Sequence, residues 1–239
     1  MCEFQPRGLL ATLLSSLLLL DGCQIQPPAE RTRSTPAGEL PPLAVESAEL
    51  YRVVPEQSRA RFYVYRGGPL AEYGHSHVIV ARNITGTVHL APEFRDSGFD
   101  LTIPVDGLTV DPPAVRREEG GEFASELPDQ AAGRTRENML GPGVLDAGEY
   151  PRIELRSRSL AGPAWQPDIT FRLRLHGVER ELTVPVAVIR QNGGLIAIGE
   201  FKVLQSEFGI EPFTALGGGL RVKDEVRVKF RVEASRVRD

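Results

Sequence analysis

Apolar and charged residues alternate most clearly near the C-terminus. Between residues 220 and 234, Leu220, Val222, Val226, Val228, Phe230, Val232 and Ala234 share one parity, while Arg221, Lys223, Glu225, Arg227, Lys229 and Arg231 share the other. Successive side chains of a strand point to opposite faces, so this stretch predicts a strand with one apolar and one solvated wall. A parallel strand buried on both faces would be apolar on both parities. The pattern recurs upstream. Ala60, Phe62 and Val64 oppose Arg59, Arg61, Tyr63 and Tyr65, and Phe99, Leu101, Ile103 and Val105 oppose Asp100, Thr102, Pro104 and Asp106. Residues 76–82, which hold Ile79, and 83–90 predict two strand segments or one long bent strand. Pro104 has no N–H for a ladder, which places it at an edge, a bulge or a strand end.

Strand signals return at residues 152–160, 169–175, 181–190 and 195–203. Ile169, Phe171, Leu173 and Leu175 form one inward set; Leu182, Val184, Val186 and Val188 continue it, and Phe201 belongs to the next. Turn chemistry separates these runs: Gly177 after His176, Asn192-Gly193-Gly194 as a hairpin turn, and Gly217-Gly218-Gly219 joining the last two strand signals. Residues 112–149 break the pattern. They are charged, contain Gly120-Gly121, and include a helix-compatible piece at 128–140. A long ordered connection in a strand-built chain is commonly a lid or binding loop; a surface excursion is the plain alternative. The expected fold is therefore all-β: a closed antiparallel barrel of about eight strands with one long, partly helical insertion. Closure removes exposed strand edges, although a two-sheet sandwich would have the same periodicity.

Composition changes this picture only at the N-terminus. The chain has 239 residues, 41% hydrophobic and 25% charged, with Lys+Arg 28 against Asp+Glu 32. These charges are interleaved and the formal net charge is -4, which argues against a nucleic-acid footprint. Residues 9–20 form an uncharged Leu-rich run after Arg7, too short for a comfortable membrane span of about 20 residues and suited to a signal-peptide core. The ending Leu20-Asp21-Gly22-Cys23 resembles a bacterial lipobox, with Asp21 standing where a small residue is usual. The only other cysteine, Cys2, would leave with the signal peptide, so the mature chain is expected to carry one thiol and no internal disulfide. Residues 1–22 thus read as a lipoprotein signal peptide, Cys23 as the lipidation site, and residues 23–48, rich in Pro, Ala and Thr, as a tether without a core. Residues 49–239 are the expected barrel domain. Gln24 after the cysteine, by resemblance to bacterial sorting patterns, implies export to the periplasmic face and anchoring at the outer membrane.

Several stretches together resemble the YceI-like family of lipid or polyisoprenoid-binding proteins with lipocalin-like barrels. They are Leu145-Asp146 followed by Glu149-Tyr150-Pro151; Leu173-Arg174-Leu175-His176-Gly177-Val178 leading to Leu182-Thr183-Val184-Pro185-Val186; Ser206-Glu207-Phe208-Gly209-Ile210; and Val222-Lys223-Asp224-Glu225-Val226. They occur in the family's order and extend over residues 50–234. The resemblance implies a barrel around an apolar tunnel that holds a long isoprenoid or other lipid chain, with no cofactor and no catalytic residues to carry over. The inward sets then supply the expected tunnel lining: Phe62, Val64, Ile79, Leu101, Ile103 and Phe171, continued by Leu173, Val184, Val186, Phe201, Val228 and Phe230. The Gly74-His75-Ser76-His77 segment and the 112–149 insertion depart from the family pattern and bear on the tunnel mouth.

Candidate chemistry is sparse. His75 and His77 lie two apart, so on a strand both imidazoles would face one side and could share a metal ion. Zinc would need at least one more protein ligand. His89 and His176 fall on outward parities, and Glu72 and Glu137 cannot be placed by pattern. Two polar residues at a barrel mouth are the simpler reading. Ser206 with Glu207 lacks a histidine to activate the hydroxyl, and Gly217-Gly218-Gly219 precedes a strand rather than a helix N-terminus, which removes an anion site. Trp165, between Pro163 and Pro167, reads as a turn or end-plug residue. The sequence therefore points to an exported lipid-binding module whose small-molecule partner is a lipid or isoprenoid. It names no protein partner. A metal-binding protein or metal-dependent enzyme using His75 and His77 is the alternative, and an envelope protein with an empty core is a third possibility.

Overall fold

The computed structural model describes residues 48–128 and 130–238. The expected signal peptide, Cys23 and nearly all of the expected tether lie outside these residues. In chain order the elements are β1 (Glu49–Val53), β2 (Arg59–Gly67), β3 (His77–Ala81), β4 (Thr85–Leu90), β5 (Gly98–Pro104), β6 (Thr109–Val110), α1 (Pro113–Glu119), α2 (Ala131–Leu140), β7 (Arg152–Ala161), β8 (Asp168–Leu175), β9 (Val178–Gln191), β10 (Gly194–Leu204), β11 (Thr214–Ala215) and β12 (Leu220–Arg236).

Eight strands close a ring. Their order is β1, β4, β5, β7, β8, β9, β10 and β12, and β1 pairs with β12 to complete the circle. Every ladder is antiparallel. β12 is long enough to serve two partners on one edge. Arg221–Arg231 pair with β2, across a bulge between Val222 and Val226, and Ala234–Arg236 pair with β1. The wall therefore forks: β1, β4 and β5 continue it at one end of the barrel, and β2, β3 and β6 at the other.

Among the described residues no ladder joins β6 to β7. The insertion spans that gap. Arg136 on α2 donates to the carbonyls of Asp106 (2.5 Å) and Leu108 (3.3 Å) beside β6, and Met139 packs into the main core with Leu108 and Ile153. The segment after α2 folds back on it, with the Leu145 amide bonded to the Met139 carbonyl (3.0 Å) and the Ala147 amide to that of Leu140 (3.0 Å). Of the two readings for residues 112–149, a lid or binding loop and a surface excursion, this part is no excursion: it completes the wall and packs into the core.

The two faces of β2 and β3 explain the rest. Phe62, Val64, Ile79 and Ala81 face the barrel interior, whereas Tyr63, Val78 and Val80 face outward under Val115 and Phe123. Arg61 clamps α1 through Glu118 (2.7 Å) and Glu119 (2.5 Å), and the Tyr63 hydroxyl donates to Glu119 (2.7 Å). Burial, then that bond, raises the Tyr63 pKa well above the ordinary tyrosine value. Helix α1 was not among the elements expected from sequence, although Pro113 at its first turn and Gly120 (φ 65°) after its end are ordinary boundary signals.

The hairpin turns follow their chemistry. His176-Gly177 (φ 51° and 73°) and Asn192-Gly193 (φ 50° and 74°) take the left-handed pair of values that two-residue hairpins require. Pro104 ends β5, and residues 76–90 resolve into two strands, broken after Ala81. The connection between β10 and β12 is longer than the three glycines implied: it also holds the one-turn helix Gln205–Phe208 and β11. Trp165 sits in the β7–β8 turn and is exposed, so it plugs nothing.

Candidate ligand tunnel

The inward faces do not fill the barrel. A cavity of about 340 Å³ runs through it, near the lower end of the range of about 300–1,000 Å³ usual for small-molecule sites. Its lining reaches from Val222 and Phe213 at one end to Leu90, Leu195 and Ala234 at the other. At about 3.3 Å per residue and a strand tilt of about 40°, the stretch of β12 from Val222 to Ala234 spans roughly 30 Å of barrel axis. A small volume spread over such a length describes a narrow tunnel.

Aromatic rings cross it. Phe99 and Phe171 lie 6.2 Å apart between centroids, Phe171 and Phe201 5.7 Å, and Phe201 and Phe230 6.2 Å. Gly199 makes room for the last of these, because a Cβ there would stand 2.6 Å from the Phe230 ring. Phe62, Val228 and Phe201 oppose one another across three neighbouring strands at the middle of the tunnel.

Of the residues expected to line it, Phe62, Val64, Ile79, Leu101, Ile103 and Phe171 reach the cavity surface, as do Leu173, Val186, Phe201, Val228 and Phe230. Val184 does not. It faces inward but is packed within the core, opposite Ile169, and stops short of the open space. Sequence reasoning offered the insertion as a lid or binding loop but named none of its lining residues, which are Thr135, Asn138, Met139, Val144 and Leu145. The apolar pairs Met139-Leu140 and Val144-Leu145, set in an otherwise charged segment, were the available signal.

The two candidate metal histidines part company. His77 lines the tunnel, and its Nδ1 lies 2.5 Å from Oδ2 of Asp111; His75 is exposed on the loop before it. Glu72 and Glu137 are exposed, and the described residues contain no group of three or more His, Cys, Asp or Glu side chains arranged to hold a metal. His77 has found a carboxylate partner instead. Asp111, with φ 52° and a side chain wholly removed from solvent, also accepts the Val78 amide (3.0 Å) and Arg116 Nη1 (2.7 Å). Arg116 is itself buried, bonding the Ser76 and Ser125 carbonyls. Burial by itself would raise the Asp111 pKa and is the largest single influence, but the bonds from His77, the Val78 amide and Arg116 together outweigh it and hold the carboxyl below its ordinary value.

A depressed carboxylate stabilises the fold while the pH is above its unfolded value of about 3.9, and the contribution is lost as pH falls through the lower folded value. In acid titration followed by hydrogen exchange, amides at Val78 and in α1 are expected to lose protection below about pH 4, and an Asp111→Asn protein is expected to lack that step. Ser206, the other residue weighed for chemistry, donates its hydroxyl to Asp224 (2.5 Å) and closes a turn.

A closed antiparallel barrel around a long apolar tunnel defines a lipocalin-like barrel protein. The chain belongs to the YceI-like domain family, whose model matches residues 51–234. Among solved structures it is similar to Burkholderia cenocepacia BcnA, with 17% identity, 77% of this chain and 99% of that one covered, and a TM-score of 0.57. It is also similar to a polyisoprenoid binding domain from Saccharophagus degradans implicated in plant cell wall breakdown, with 13% identity, 78% and 98% coverage, and a TM-score of 0.51. No curated protein sequence matches the chain.

Proposed function

We propose that this protein binds a long apolar chain, a polyisoprenoid or another lipid, inside the barrel, and holds it for carriage, sequestration or envelope stress without chemical change. The observation that carries this reading is the long, narrow apolar tunnel, whose shape suits an extended chain laid lengthwise better than a compact ligand of equal volume. Family membership and the polyisoprenoid-binding neighbour support the same ligand class. We further propose that the chain is exported and anchored by acylated Cys23 at the periplasmic face of the outer membrane, which follows from the leader, the Leu20-Asp21-Gly22-Cys23 ending and the polar segment behind it.

One preparation tests both parts. A Cys23→Ser chain is expected to leave the membrane fraction and, in native mass spectrometry, to carry one extractable long-chain lipid per protein. Retention of the variant in the membrane to the wild-type extent would overturn the anchor. A protein that arrives empty and takes up no polyprenol of any length would overturn the binding reading.

A further inference from the structure

The polar groups of the tunnel are grouped at one end. His77 opposes Val64, Val64 opposes Val226, and Val226 opposes Val203, so the ladder register brings His77 level with the end of β10, two residues before Gln205. Both line the cavity, as do Thr135 and Asn138 from α2. At the far end the lining is Val88, Leu90, Phe94, Leu195 and Ala234, together with Ser97, whose hydroxyl oxygen is taken by the Ala91 amide (3.0 Å). The tunnel is therefore amphipathic along its length: a ligand with a polar head and an apolar tail fits it in one direction, head toward His77.

The chemistry of that head follows from the bonds behind the ring. Asp111 is ion-paired to the buried Arg116 and accepts the Val78 amide, and with its carboxyl held below the ordinary value it is a carboxylate at neutral pH and has no proton to give. Its bond to His77 Nδ1 can form only if that nitrogen carries the hydrogen. In the neutral ring Nε2 is then an acceptor, fixed in place by its neighbour. Among the described residues no side chain or backbone group donates to Nε2. The Gln205 amide nitrogen is turned away from a head group, since its hydrogens go to the Lys223 (3.0 Å) and Asp224 (3.4 Å) carbonyls.

We propose that His77 Nε2, positioned by Asp111, is the head-group site of the tunnel and that it accepts a hydrogen bond from a hydroxyl, so that the preferred ligand is a long-chain alcohol rather than a bare hydrocarbon or a phosphate ester. This rests on the reading of the barrel as a lipid-binding tunnel. Asp111 acts through His77 and touches no ligand.

The test compares three probes on the full chain: geranylgeraniol, its methyl ether, which keeps the oxygen but lacks the donor, and geranylgeranyl phosphate. Wild type is expected to bind the alcohol about tenfold more tightly than the ether, the factor one hydrogen bond of ordinary strength supplies. His77→Phe, which keeps a ring in place, is expected to bring the two to equal affinity through loss of alcohol binding, with the ether unchanged. Asp111→Asn is expected to narrow the difference without weakening the ether. Equal binding of alcohol and ether by wild type, unaltered in His77→Phe, would overturn the head-group site and leave lipid binding standing. A His77-dependent preference for the phosphate would overturn the choice of an alcohol. Failure of wild type to bind any of the three would overturn the tunnel reading beneath both.

Discussion

In Val228→Trp protein, binding of long polyprenyl chains is expected to fall by at least two orders of magnitude while the ligand-free protein melts near the wild-type temperature. Val228 is 4% exposed and lies midway along the tunnel stretch of β12, between Phe62 and Phe201 on the flanking strands. An indole at this point closes the bore and leaves the head end open. Burial yields about 0.8 kcal/mol per CH₂, so each five-carbon unit kept outside forfeits roughly 3–4 kcal/mol before ordering costs reduce the loss. Chains short enough to stop before residue 228 should bind as before. A filled core would behave in the opposite way, since overpacking costs about 1–3 kcal/mol and appears as a lower melting temperature without ligand. The outward change Arg52→Gln on β1 should move neither quantity. A Val228→Trp protein that is unfolded without ligand, or that keeps the wild-type preference for long chains, would show that the bore does not pass this residue.

The largest effect on stability is expected from Gly86→Ala. Gly86 has φ 141°, a conformation open to glycine alone, and a Cβ there would stand 2.0 Å from the Asp100 carbonyl oxygen and 2.9 Å from the Leu101 Cα on the facing strand. Both are backbone atoms of the β4–β5 ladder, which cannot swing aside as a side chain can. The barrel must open there or shift register, and a loss of about 3 kcal/mol or more is expected in urea unfolding. Gly133→Ala supplies the contrast. It sits in α2 with nothing within 4 Å of the added methyl, so the change should stabilise by up to about 1 kcal/mol. Equal midpoints for the two variants would refute this account of the ladder.

Much of the barrel could be read from parity, and the reason is physical. Strand alternation is a local property, set by which face each side chain meets, and the inward positions of β2, β5, β8, β10 and β12 were legible for that reason. Turn residues with positive φ were legible because the two-residue hairpin demands them. The fork at β12 was not, because pairing one long strand with both β1 and β2 depends on contacts between the two ends of the sequence. β1, β6 and β11 are too short to show a period, and α1 owes its position to Val115 and Phe123 packing on the outside of the wall. The His77–Asp111 pair joins residues 34 apart in sequence. His77 stood out only beside His75, so spacing suggested a shared metal where the fold supplies a carboxylate and a buried arginine.

The pairing of β1 with β12 sets an order of events during synthesis. Tyr51 faces Arg236 across that ladder, so the ring cannot close until about 185 residues separate the first partner from the last. At about 5–20 residues per second this takes roughly 10–40 s, during which β1 and β2 both lack the strand that will join them. Their edges and the apolar inner faces stand open for that whole interval, and entropy penalises closure over so long a loop. Yield of the native barrel is therefore governed by what shields the unfinished chain, and a product truncated before residue 220 leaves β1, β2 and β10 without their shared partner and has no route to closure.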